Sequence, residues 1–230
     1  GIDAVANATL SETLPKVTHS SQLDPLRLDD LPSLGRAYQQ ALRGEEQFGL
    51  DFYAGFRSWG IPQEKLGPQA LVPPAAAPAF IRVFFLGIDG YSEMMDRLKS
   101  AATRPYFQTR DEISRMSDGS VQTGLLTRII IPSLTHSFES LASVEAGDAC
   151  AQVALAATRF RLDHGELPAK LGDLTPNYLE QIPLDPFDGK PLRLSTRSDH
   201  WIVYSIGPDL IDNGGLETDR KKWDIPMALK

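Results

Sequence analysis

Carboxylates crowd two short stretches near the C-terminus. Asp209, Asp212 and Asn213 fall within five residues and are followed by Gly214-Gly215. A hard cation such as calcium takes about six to eight oxygens from carboxylates, amides and main-chain carbonyls. Paired glycines let a chain bend around such an ion. Carbonyls near Ser205 and Ile206, and the side chains of Glu217, Asp219 or Asp224, would complete the shell. The same Asp-Asn-Gly-Gly run is also an ordinary turn, because Asp and Asn bond their own backbone and glycine accepts positive φ. Arg220, Lys221 and Lys222 bring positive charge beside it. Upstream, Asp185-Pro186 and Asp188-Gly189 place two carboxylates close enough to suggest an acid–base pair. Turn chemistry accounts for both without catalysis.

Other reactive side chains are sparse. His136 and His164 fall on or at the end of a helical stretch, with no second histidine or cysteine at ligand spacing. His19 and His200 lie in polar segments and read as solvated. The single cysteine, Cys150, sits among alanines and reads as a small packed residue. Trp201 and Trp223 read as sheet-edge packing residues. The signatures G-x-S-x-G, H-E-x-x-H, G-x-x-x-x-G-K-[ST] and G-x-G-x-x-G are all missing from the sequence. The residues therefore assign no catalytic group and no bound cofactor beyond the calcium that the Asp209 loop would suit.

The elements that must position these residues follow from the pattern. Leu34, Tyr38, Leu42, Phe48 and Phe52 recur near helical spacing through residue 56, after the acidic Asp24-Pro25 and Asp29-Asp30. Residues 60–79 are rich in Pro and Ala and read as a connection. The apolar run Phe80 to Ile88 fits a strand or the start of a buried helix. Tyr91 to Lys99 and Thr109 to Met116 read as helices, separated at Pro105, and Ser117 to Ser120 is a break. Leu134, Phe138, Leu141, Val144, Ala149, Val153, Ala156 and Phe160 then mark one long helix of about 30 residues, well beyond the usual ~11–12. Pro132 marks its first turn or a kink near its start, and His164-Gly165 its end. Beyond it, Leu171 to Leu179 suggests a short helix. Pro191 to Ser195 and Trp201 to Ile206 suggest two antiparallel strands, and Trp223 to Ile225 a third. Alternation puts Trp201, Val203 and Ser205 on one face of their strand and Ile202, Tyr204 and Ile206 on the other. Helices followed by an antiparallel sheet define an α+β fold. The expected organisation is a loose leader over 1–23, a helical region over 24–120 and an α+β module over 121–230.

Composition bounds the rest. The chain has 230 residues, of which 42% are hydrophobic and 23% charged, enough for a substantial core. Its formal net charge of −7 argues against a nucleic-acid partner. One cysteine excludes an internal disulfide. No apolar run approaches the ~20 residues of a bilayer helix. The first residue is Gly1, not Met, so the lack of a targeting segment is no argument for the cytoplasm, and an anchor upstream is compatible with the sequence.

The blocks His164-Gly165-Glu166-Leu167-Pro168, Ile182-Pro183-Leu184-Asp185-Pro186-Phe187-Asp188-Gly189-Lys190-Pro191 and Val203-Tyr204-Ser205-Ile206-Gly207-Pro208-Asp209, in this order behind a long helix, resemble the globular head of the major pseudopilins of type II secretion. The resemblance covers about residues 133–225. It implies a long helix packed on a small antiparallel sheet, and calcium at the loop carrying Asp209, Asp212 and Asn213. The whole chain is similar to a group of uncharacterised bacterial proteins, common in planctomycetes, with this block behind a helical region. Two features depart from the pseudopilins. Directly ahead of the amphipathic helix the apolar run is only Ile129 to Ile131, and about 130 residues precede it. The resemblance implies a non-enzymatic protein of the cell envelope, anchored or secreted, that binds protein partners or scaffolds a secretion-like assembly. The alternative of another class is an extracytoplasmic hydrolase or an accessory domain of one.

Overall fold

The structure is a computed structural model, and it describes residues 12–19, 23, 34–58, 88–117, 125–197, 200–215 and 224–229. Its α-helices are α1 (Leu34–Ser58), α2 (Ile88–Ala101), α3 (Tyr106–Ser117) and α4 (Leu125–His164). Its strands are β1 (Arg193–Arg197), β2 (His200–Ser205) and β3 (Ile225–Leu229). The fold is α+β: a long helix packs on a small three-stranded antiparallel sheet of order β1-β2-β3. The expected segments at 24–33, 60–79, 80–87 and 118–120, and the residue Trp223, lie outside the described residues.

Two compact units divide the chain, one formed by Gly1–Pro32 with Glu139–Lys230, the other by Ser33–Phe138. Leu14, Val17 and Leu23 are buried, so the described part of the segment 1–23 is not loose. They join a core made by α4 and the sheet. The Arg161 guanidinium, on α4, donates to the main-chain carbonyls of Leu14, Pro15 and Val17 at 3.0, 3.3 and 3.4 Å. Polar Ser and Thr neighbours hide these apolar positions in the sequence. The α4 residues up to Phe138 cluster with the helical unit.

α4 spans 40 residues rather than about 30. Pro132 lies inside it, near its start, and so past the first turn, the other of its two expected places. The residue is exposed, a setting in which a lost helix hydrogen bond is tolerated. From Cys150 to Thr158 all residues but Gln152 are buried. A helix buried nearly all round needs small residues to let its neighbours approach, and Ala151, Ala154, Ala156 and Ala157 supply them. Phe160 is half-buried against this core, its ring stacked on His164 with centroids 4.1 Å apart.

The sheet follows the expected alternation. Trp201 pairs with Leu229 and Val203 with Met227, and all four sit in the core with α4. The Trp201 indole N–H donates to the Pro168 carbonyl at 2.9 Å. Tyr204 pairs with Arg193 across β1 and β2, which sets phenol and guanidinium on the same face. The first two strands run two residues later and one earlier than their expected starts, and pair as far as Arg197 and His200. The expected helix after Leu171 is a 3-10 turn over Leu171–Leu174.

In the helical unit, Leu42, Tyr91, Met94, Met95, Leu98, Ile113, Ile131 and Phe138 form the core. The Tyr38 ring meets Phe138 edge-on at 4.9 Å and its hydroxyl donates to the Leu134 carbonyl at 3.0 Å. Burial pushes this phenol up to about 12, against a smaller downward pull from Ser137. Two glycines of α1 differ sharply. A methyl on Gly49 would overlap the Tyr91 ring, whose hydroxyl donates to the Glu45 carbonyl at 2.9 Å, whereas a methyl on Gly44 would meet nothing. Gly44→Ala therefore gains helix propensity alone, about 0.5–1 kcal/mol. Gly49→Ala gains the same but overpacks at about 1–3 kcal/mol, a net loss. Chemical denaturation of the two variants checks this, and a Gly49→Ala as stable as Gly44→Ala would contradict it.

Candidate functional site

The C-terminal carboxylates converge around the ends of β1 and β2. Asp185 is fully buried, and the Ser205 hydroxyl donates to its Oδ1 at 2.8 Å. The Phe187 N–H donates to the same oxygen at 3.0 Å, while Oδ2 accepts the Ile206 N–H at 2.9 Å and Arg193 Nη1 at 3.0 Å. The turn itself is closed by main-chain bonds from Asp185 to the Lys190 carbonyl and from Gly189 to the Asp185 carbonyl, at 2.7 and 2.8 Å. Gly189 has φ +72°, which glycine adopts without a side-chain clash.

Arg193 is the cation of the site. Its guanidinium reaches Asp185 at 3.0 Å, Asp188 at 2.5 Å and Asp212 through Nε at 3.4 Å. Asp185 and Asp188, which spacing alone could pair for acid–base work, are thus joined through one guanidinium. Burial would raise the Asp188 carboxyl. The Lys190 N–H, the hydrogen bond and charge of Arg193 and the charge of Lys190 outweigh it, so the carboxyl lies below its ordinary value.

Next to this pair, loop 207–215 is tied back at several points. Asp212 Oδ1 accepts the Tyr204 hydroxyl and the Gly214 N–H, both at 2.9 Å. Asp224, buried at the start of β3, accepts the N–H groups of Asn213 at 3.1 Å and Gly215 at 2.7 Å. Burial raises the Asp224 carboxyl above its ordinary value, against those N–H bonds and with help from the negative charges of Asp212 and Asp209. Burial and the bond to Asp212 push the Tyr204 phenol up to about 12. Gly215 has φ +74°, and a methyl there would press on Ile202 and the Tyr204 ring at 2.9–3.0 Å.

The residues expected to hold calcium are all in this loop, but carboxylate oxygens of Asp209 and Asp212 face donors. Asp209 Oδ1 accepts the Ile211 N–H at 3.1 Å. Asp212 is engaged as above, and Asn213 Nδ2 donates to the Ile211 carbonyl at 3.0 Å. Among the described residues, no group of three or more His, Cys, Asp or Glu is arranged to hold a metal ion. Glu217, Asp219 and the cations Arg220, Lys221 and Lys222 lie outside the described residues.

The remaining expected residues are scattered. Cys150 is buried, its thiol donating to the Ile225 carbonyl at 3.5 Å, and burial pushes the thiol far up. His164 lies exposed at the end of α4, with Nδ1 3.0 Å from the Phe160 carbonyl, and His136 is exposed on the same helix. Arg193, Ser205 and Tyr204 are the site residues that spacing did not single out as chemistry. The available signal is an arginine opening the hairpin just after two Asp-bearing turns. Comparison of the chain with protein-family profiles, with curated proteins and with solved structures gave no match.

Two outcomes test this arrangement. Arg193→Ala leaves the buried Asp185 without its cation and should cost about 3–5 kcal/mol at neutral pH. A carboxyl with a depressed value contributes stability above its unfolded value and loses it as pH falls through the folded one. The gap between wild type and Arg193→Ala should therefore narrow in acid, where the share from Asp188 disappears. Denaturant melts over a pH series measure it, and a pH-independent gap would contradict the role given to Asp188. Separately, melts with added calcium and with a chelator should coincide, since the Asp212 and Asp224 oxygens are already engaged. A melting temperature raised by calcium would show that the loop rearranges into a metal shell.

Proposed function

We propose that this protein is a non-enzymatic interaction or scaffold protein of the cell envelope, with a pseudopilin-like α+β module, in a secretion-like assembly. The observation that carries the reading is loop 207–215. Leu210 and Ile211 are 36% and 60% exposed at its tip. The chain on either side is held by the Asp185, Asp212 and Asp224 hydrogen bonds. Leu210 itself has φ +60°, a conformation disfavoured for a side chain of its kind. Apolar groups presented on a fixed backbone lose little freedom on docking, which favours recognition by another protein.

The electrostatics support the same reading. A hydrolase that works through an acid–base carboxyl needs that group free to exchange protons with substrate. The closest carboxylates described here share Arg193 and neighbouring N–H donors instead. The acidic balance of the chain disfavours a nucleic-acid partner. The envelope location is supported by the resemblance to pseudopilins. No helix among the described residues is long and apolar enough to cross a membrane.

A photo-crosslinking side chain placed at Ile211, and as a control at the exposed Glu180, tests the reading in cells. A discrete protein adduct from position 211, absent from position 180 and recovered with the envelope fraction, is the expected result. No adduct, or the same adducts from both positions, would contradict it.

A further inference from the structure

Asparagine occurs at positions 7, 177 and 213, and only Asn213 is followed by glycine. A glycine nitrogen carries no neighbouring side chain to shield it. It is therefore the main-chain nitrogen best able to attack the side-chain carbon of the preceding asparagine. In loop 207–215 both reacting groups are in view: Asn213 is half-buried, with Nδ2 bonded to the Ile211 carbonyl, and Gly214 has φ +71°. The Gly214 N–H points at Asp212 Oδ1, 2.9 Å away. Asp212 is in turn fixed by the Tyr204 hydroxyl at 2.9 Å and by Arg193 at 3.4 Å.

We propose that Asn213 is a spontaneous deamidation site of the folded protein, and that Asp212 sets its pace. The Gly214 nitrogen gives its proton to hydroxide and bonds to Cγ of Asn213. The side-chain nitrogen takes a proton from water, which regenerates the hydroxide, and leaves as ammonia, and a cyclic imide remains. Water then opens the ring at either carbonyl to give aspartate or isoaspartate. The net change is one water taken up and one ammonia released, with no oxidation or reduction and no further reactant. Asp212 acts as a restraint, not as the base. A carboxylate is far too weak a base to remove an amide proton. Accepting the N–H holds the proton on nitrogen and keeps the peptide plane turned towards Asp212, so this bond must open before attack.

The product differs physically from the starting loop. It loses the donor that Asn213 gives to the Ile211 carbonyl. It gains a carboxylate beside Asp209, Asp212 and Asp224, of which the last is already raised by burial and, to a lesser degree, by its acidic neighbours. Any effect on partner docking at Ile211 rests on the function proposed above; the chemistry at Asn213 does not.

The test incubates the full folded chain in mildly alkaline buffer and follows the Asn213 and Asn177 peptides by mass spectrometry, with isoaspartyl methyltransferase labelling to identify isoaspartate. Wild-type chain in urea gives the unrestrained rate. The folded wild type should convert at Asn213 and not at Asn177, several-fold more slowly than the denatured chain. Asp212→Ala should bring the rate close to the denatured one, and Tyr204→Phe should give an intermediate rate. Circular dichroism reports whether each variant is folded, and Tyr204→Phe decides the matter if Asp212→Ala is not. No conversion at Asn213 in the folded wild type while the denatured chain converts would overturn the proposal. Equal rates in wild type and in the folded variants would overturn the role of Asp212.

Discussion

Asp185 is a carboxylate with no exposure to water, and an uncompensated buried charge costs far more than a small unit can tolerate. The partners that relieve it come from three pieces of local structure. The Phe187 N–H comes from the turn, Arg193 from the first residue of β1, and the Ser205 hydroxyl and Ile206 N–H from the end of β2. These groups meet at one point only if the turn, the hairpin register and the strand ends are all formed. The pairing of Arg193 with Tyr204 is the register that does this. A slip of one residue would turn the guanidinium to the other face of the sheet.

The same guanidinium couples the turn to the loop. Because Arg193 also reaches Asp188 and Asp212, the loop after β2 inherits the rigidity of the hairpin. Asp224 adds a second attachment from the start of β3. Acidic residues that look like a reactive cluster in one dimension thus become fasteners in three. What they leave exposed is apolar: Leu210 and Ile211 at the loop tip. A fixed loop carrying apolar side chains suits recognition better than turnover, and that contrast underlies the proposed role.

Much of this was legible in the sequence, and the failures have physical causes. The hairpin faces followed from alternation in Trp201 to Ile206, since a period of two leaves no freedom about which side chains meet α4. The long helix was legible from Leu134 to Phe160, but its start was not. Proline normally marks a first turn, and only tertiary structure shows that an exposed Pro132 is tolerated seven residues inside. The segment around Leu14 and Val17 was misread because its composition is polar and its contacts are more than 140 residues away. Arg193 was missed for a similar reason. Its partners lie at 185, 188 and 212, and no spacing rule joins an arginine to carboxylates on both sides of a hairpin.

The central claim is that the carboxylates around Arg193 form one structural network that holds the loop after β2. Native-state hydrogen exchange of the amides of Ile206, Gly214 and Gly215 tests it most directly, because each donates to a carboxylate of that network. In wild type all three should be protected, and Arg193→Ala should weaken the protection of Ile206 and Gly214 together while the β2 and β3 amides stay protected. Exchange of Gly214 and Gly215 at the unprotected rate in wild type, or protection at Gly214 that ignores the loss of Arg193, would contradict the account.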